Sequence, residues 1–216
     1  MPDRWRVILE LSVYVVLLST MLIYFRPSLL FSSTITTGGD TGAHIYAPWY
    51  LKHHLLPHGQ LSGWSPGWFA GFPMLHFYFP LVAAFQAILS YVIPYGIAFK
   101  LGTILGTFFL PVSFYLMFRL LRFRFPTPII GAVLAFSFLF MDSYTIYGAN
   151  IASSLAGEYS FALSVGLCFV FYGLAYRVAT EDRGQPLLAA VVLAMAVLSH
   201  VVPVIMVVLF GPVLIY

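Results

Sequence analysis

Apolar runs long enough to cross a bilayer alternate with short polar breaks along most of the chain. The first, residues 7–25, follows Arg4 and Arg6. About 20 apolar residues in helical form span a hydrocarbon core of roughly 30 Å. The run is longer than a signal-peptide core and lacks a small-x-small cleavage site, so it reads as an uncleaved first span. Glu10, near its start, is expected to snorkel or pair at the interface. The longest stretch without a span follows, residues 32–75. Residues 80–93 are apolar but short for a crossing, whereas residues 96–118 are long enough. Arg119, Arg122 and Arg124 come next, and lysines and arginines collect on the cytoplasmic side.

That charge pattern sets the order of crossings. If the N-terminus and the Arg119–Arg124 cluster are both cytoplasmic, the loop at 32–75 is external and one crossing separates it from the cluster. Residues 76–93 then form a surface or re-entrant helix and 96–118 the second span. Residues 127–145 run outward as the third span, 142–158 form a second external loop, and 159–177 return inward. Arg177, Glu181, Asp182 and Arg183 make a cytoplasmic turn. The run 187–216 is interrupted by Ser199-His200 and Pro203, so it reads as a short fifth span ending near His200 and the start of a sixth. One kinked helix, with His200 deeper in the membrane, is the other reading. The chain stops inside apolar sequence, which suggests that its 216 residues are the N-terminal part of a longer protein.

The predicted class is all-α, a polytopic helical membrane protein. A barrel would show short segments of alternating polarity, and an open sheet cannot satisfy its backbone in lipid. Composition agrees: 61% of residues are hydrophobic and 8% charged, against about 25% charged in soluble domains. The net charge of +3 comes from arginines at span ends and is no sign of a nucleic-acid partner. Cys168, the lone cysteine, lies in an apolar run and says nothing of redox compartment.

The polar chemistry gathers in the first loop. Gly38-Gly39-Asp40-Thr41-Gly42-Ala43-His44 opens it, and five of the six histidines lie in or beside it. The stretch from Ala43 to Leu51 reads as a helix lying on the membrane surface. Trp49, Tyr50, Trp64, Trp68, Phe69 and Phe72 suit an interfacial belt. The Gly and Pro residues of 63–73 punctuate turns. If the surface helix begins at or just after Asp40, then Asp40 and His44 share a face. Asp40 is then either an N-cap or a functional carboxylate. Glu158 faces the same choice at the mouth of the fourth span. The charge-derived topology puts Asp40, His44, Asp142, Glu158 and His200 all on the external side. Two carboxylates there could hold a hard divalent cation or divide into a base and an orienting group. His200 is either bonded to a neighbouring helix or an anion contact. His53, His54 and His58, beside Lys52, are interfacial, with phosphate contact as the functional alternative. No Walker loop, zinc spacing, serine-triad motif or Rossmann fingerprint is present.

This layout resembles the GT-C glycosyltransferases, polytopic membrane enzymes that take a sugar from a polyprenyl-phosphate carrier on the non-cytoplasmic side. Gly39-Asp40-Thr41-Gly42-Ala43-His44 looks like their first-loop acidic motif. The stretch from Asn150 to Tyr159 is similar to the second external loop of the oligosaccharyltransferase catalytic subunit. That pattern has an Asp a few residues beyond the position of Gly157-Glu158. Leu198-Ser199-His200 is similar to a Ser/Thr-His pair near the outer end of a later helix. The overall look is that of bacterial and archaeal GT-C proteins known as 6-pyruvoyl-tetrahydropterin synthase-related, a label that need not imply pterin chemistry.

The resemblance implies a single transmembrane domain over residues 1–216, with a first external loop and its surface helices at 32–93. It implies a multi-pass protein of the plasma membrane, or cell envelope, with its site on the external face. Asp40 and Glu158 would be the catalytic acids, and the metal ligands if the reaction depends on Mg or Mn. His44, His200, His53 and His54 would contact substrate. The donor would be a polyprenyl-phosphate sugar, its lipid tail in an apolar groove beside residues 76–93, and the acceptor a glycan, lipid or protein. Two rival classes stand beside this one, a transporter or flippase and a non-catalytic membrane subunit of a larger complex.

Overall fold

The computed structural model describes residues 3–67, 69–77, 79–143, 148–181 and 184–215. Trp68, Asp182, Arg183 and residues 144–147 of the expected second loop lie outside them. The described chain is predominantly helical, as the continuous apolar runs predict. Three helical stretches are long and apolar enough to cross a membrane: Arg4–Phe25, Tyr95–Leu120 and Ile151–Thr180.

The first of these falls within α1 (Asp3–Phe25) and leads into the single turn α2 (Pro27–Leu30). In the first loop, α3 (Thr41–Tyr50) continues into a π-helical turn over Leu51–Leu55. Two short strands, β1 (Gly63–Ser65) and β2 (Phe72–Met74), pair antiparallel with Trp64 opposite Pro73. This hairpin was not foreseen, because three-residue strands leave no alternation long enough to read. The helix expected at 76–93 is α4 (Pro80–Leu89), about 15 Å long at 1.5 Å per residue.

α5 (Tyr95–Leu120) and α8 (Tyr159–Thr180) are the spine of the fold. Small residues let their backbones approach closely. A Cβ on Gly106 would stand 2.4 Å from the Leu163 nitrogen, and one on Gly166 would stand 2.7 Å from the Phe109 ring. Phe99, Tyr159, Leu163 and Leu167 fill the core between these helices and the next pair.

α6 (Thr127–Leu139) is shorter than the span expected at 127–145. It ends before Phe140 and reaches about 20 Å, less than the hydrocarbon thickness. After it, α7 (Ile151–Ser153) runs into a second π-helical turn, Ser154–Glu158, which leads into α8. Asn150 caps α7 by accepting the Ser153 N–H at 2.7 Å.

The last apolar run is two helices, α9 (Pro186–Ser199) and α10 (Val201–Ile215). His200 between them is extended, with φ −169° and ψ 130°. The Ser164 hydroxyl, on α8, sits 2.9 Å from the Ala196 carbonyl and 2.8 Å from that of His200. It therefore fixes this break against the spine. The Tyr172 hydroxyl does the same for α10 by donating to Met206 at 2.8 Å.

Polar pairs tie the far end together. Glu181 accepts from Arg177 at 2.8 Å and from Arg122 at 2.7 Å. The turn after α5 and the turn after α8 therefore lie on one side, as the charge pattern required. These bonds pull the Glu181 carboxyl down to about 2. Glu10 pairs with Arg6 at 3.2 Å and accepts from the Tyr115 hydroxyl at 2.8 Å, in line with the pairing expected of it.

Candidate functional site

Asp40 stands immediately before α3 as its N-cap residue, yet its side chain makes no capping hydrogen bond. Glu158 stands in the same relation to α8, again without a side-chain cap. An N-cap normally stabilises a helix by accepting an N–H of the first turn, and neither acid does so. Burial, and then the nearby Asp40 charge, push the Glu158 carboxyl above the usual carboxylate range.

The two acids meet because the second π-helical turn packs against the start of α3. The Asp40 N–H donates to the Ala156 carbonyl at 2.7 Å. The Thr41 hydroxyl donates to the Leu155 carbonyl at 3.1 Å, across 114 residues of sequence. Gly157 makes the approach feasible. Its φ of +125° is a conformation that side-chain-bearing residues rarely adopt, and a Cβ there would meet Asp40 Cβ at 3.0 Å and His44 Cδ2 at 3.1 Å. Gly39, at φ +49°, is tighter still, since its Cβ would fall 2.3 Å from the Ala156 oxygen.

Asp40, His44 and Glu158 line one cavity of about 330 Å³, with Ala43, Ala47, Phe72, Met74 and Leu75. The volume is at the lower end of the range for small-molecule sites. Asp40 is exposed, while His44 and Glu158 are half-buried. The β2 strand and Leu75 supply apolar lining to the same cavity. Sequence reasoning missed this lining along with the hairpin.

His44 lies one helical turn after Asp40, its N–H donating to the Asp40 carbonyl at 3.1 Å. Burial lowers its pKa below the usual imidazole value, and the nearby Asp40 charge opposes that shift in part. His44 is therefore neutral at pH 7 and can donate from one ring nitrogen and accept at the other. Its ring meets Tyr159 edge-on at 5.6 Å.

His200 flanks this group. Its ring is 4.4 Å from Phe79 and 5.2 Å from Phe161, and burial lowers its pKa, with nearby His44 lowering it further. Phe161 also lines an apolar cavity of about 530 Å³ between α5, α8 and α10, with Cys168, Tyr172 and Met206 among its walls.

His53 and His54 are placed elsewhere. Both are exposed on the first π-helical turn. His53 packs on Trp49 at 5.1 Å, and His54 stacks on Tyr50 at 4.7 Å. Neither lines the cavity that holds Asp40. Asp142, also expected on this side, is exposed beyond the end of α6 and does not line the cavity either.

Among the described residues no three His, Cys, Asp or Glu side chains cluster closely enough to form a metal site by themselves. The two carboxylates offer hard oxygen donors of the kind magnesium takes when water and substrate phosphate complete its shell.

No family model, curated protein or solved structure matches the chain.

Proposed function

We propose that the chain carries the catalytic site of an integral membrane glycosyltransferase that uses a polyprenyl-phosphate sugar donor. The observation that carries this reading is the convergence of Asp40, His44 and Glu158 on one cavity, with neither acid spent on capping its helix. In this account α1, α5 and α8 cross the plasma membrane, the shorter α6 carries the chain back outward between α5 and α8, and the N-terminus is cytoplasmic. Glu158 and Glu181 stand at opposite ends of α8, whose 22 residues extend about 33 Å. That separation fits one acid at each surface of a bilayer, with the Asp40 cavity on the non-cytoplasmic side.

The chemistry follows from the groups present. Asp40, which is exposed, takes the proton of the acceptor hydroxyl as that oxygen attacks the anomeric carbon. The bond from that carbon to the phosphate oxygen breaks, and the electron pair leaves on the lipid phosphate. Neutral His44 orients the acceptor by hydrogen bonding. Glu158 holds a donor hydroxyl, or joins Asp40 in holding a divalent cation such as Mg or Mn if the reaction uses one. Such an ion would offset the charge of the departing phosphate. The acceptor is a glycan, a lipid or a protein.

A transporter or flippase would place its ionisable groups near the membrane midplane. The convergence of both acids at one end of α8 argues for surface chemistry instead. The test is transfer from a panel of radiolabelled polyprenyl-phosphate sugars in membranes containing the protein. Transfer from at least one donor is expected. Uptake or lipid flipping in the absence of transfer would favour the transport reading.

A further inference from the structure

A second polar feature lies inside the helix packing. Lys100, near the start of α5, is only 5% exposed. The described residues form ion pairs at Arg6–Glu10, Arg122–Glu181 and Arg177–Glu181, and Lys100 takes part in none of them. Its ammonium donates to the Leu29 carbonyl at 2.5 Å, the Ser32 carbonyl at 2.7 Å and the Ser32 hydroxyl at 3.0 Å. These dipoles satisfy its protons but leave its charge uncompensated. An isolated buried charge is costly, and an ionisable residue within a span signals function by default.

Lys100 borders a cavity of about 400 Å³ between the end of α1, α2 and α5. Thr36 is in the same wall, and its hydroxyl is buried and without a hydrogen-bond partner among the described residues. The remainder is largely hydrocarbon, from Tyr24, Phe25, Leu29 and Ile104. This cavity shares no lining residue with the one that holds Asp40.

We propose that this cavity binds the phosphate headgroup of a membrane lipid, with Lys100 as counter-charge and the Thr36 hydroxyl as a second donor. A compact ammonium suits a phosphate oxygen as a point charge. The Ser32 hydroxyl can yield its place on Lys100 to a ligand oxygen, since it also bonds the Leu29 carbonyl at 2.8 Å and the Thr34 hydroxyl at 2.7 Å. The apolar wall selects a lipid over free phosphate, because only a lipid covers it with hydrocarbon. The assignment does not depend on sugar transfer.

The purified protein in detergent is mixed with dioleoyl phosphatidic acid, dioleoyl phosphatidylcholine or inorganic phosphate, and retained lipid is counted by native mass spectrometry. Phosphatidic acid should be retained at about tenfold lower concentration than phosphatidylcholine, the ratio expected for one charge-assisted contact. Lys100→Met should abolish the preference. Thr36→Val, on a half-buried loop residue, should reduce it severalfold at unchanged thermal stability, and it decides the matter if the lysine variant does not fold. Equal retention of both lipids by the wild type, or a preference intact in Thr36→Val, overturns the proposal. Displacement of phosphatidic acid by inorganic phosphate as readily as by more phosphatidic acid would make the ligand a free anion and also overturns it.

Discussion

A Cβ on Gly157 would stand 3.0 Å from the Cβ of Asp40. The backbone of the second π-helical turn is thus part of the wall that positions the acid. Gly157→Ala adds both this contact and the strain of φ +125°. We expect a loss of stability of about 1–3 kcal/mol and a larger fractional loss of transfer, as Asp40 and His44 shift. Thermal unfolding and initial rates on the same preparations check this. An alanine variant with normal rates would mean that the turn does not position the acid.

Gly39 and Gly42 should respond in opposite ways. At Gly39 a methyl group meets the Ala156 oxygen at 2.3 Å, so Gly39→Ala should break the Asp40–Ala156 hydrogen bond and lower the melting temperature. At Gly42, inside α3, nothing lies within 4 Å of an added Cβ. Gly42→Ala should leave the melting temperature unchanged or raise it, helix propensity adding up to about 1 kcal/mol of stability.

The acid dependence of stability should carry the mark of His44. Burial lowers its folded-state pKa, so the unfolded chain binds the proton first. The contribution of neutral His44 is complete above its ordinary value of 6.5 and is lost as pH falls below it. Melting curves of wild type and His44→Gln should therefore converge as pH drops from 7 to 5, both being measured in one detergent. Curves that stay parallel would mean that His44 does not titrate as described.

At the opposite end, Glu181 should matter to structure alone. Its carboxyl is held at about 2 by Arg177 and Arg122, so the pairing persists through neutral and mildly acid pH and fails only as pH falls through that value. Glu181→Gln should lower the melting temperature modestly, less so at high salt, and leave transfer unchanged.

Much of this architecture was legible in the sequence. The apolar runs gave the helices, and Asp40 fell at the start of α3 as the Gly-Gly break suggested. Ser199-His200 gave the break between α9 and α10. Arginine positions put the turns after α5 and α8 on one side, and the Arg122–Glu181 pair joins them there.

The rest depends on contacts that no local pattern encodes. The approach of Leu155 to Thr41 spans 114 residues, and it is this approach that unites the acids. The early end of α6 was hidden by apolar residues continuing past it. Lys100 left one signal that was overlooked, a single lysine inside an otherwise apolar run. The separation of His53 and His54 from the Asp40 cavity was also invisible, since loop proximity in sequence does not fix direction.

The central claim is that Asp40 and Glu158 act together on substrate. The most direct measurement is sugar transfer by wild type, Asp40→Asn and Glu158→Gln, at matched expression and with melting temperatures recorded. Loss of general base catalysis costs about 10²–10⁴-fold, so Asp40→Asn should lose at least 10²-fold of the wild-type rate while folding normally. Glu158→Gln should lose a smaller factor, and the double variant should be no worse than Asp40→Asn, as residues acting as one unit require. A folded Asp40→Asn protein that transfers sugar at the wild-type rate would contradict the account.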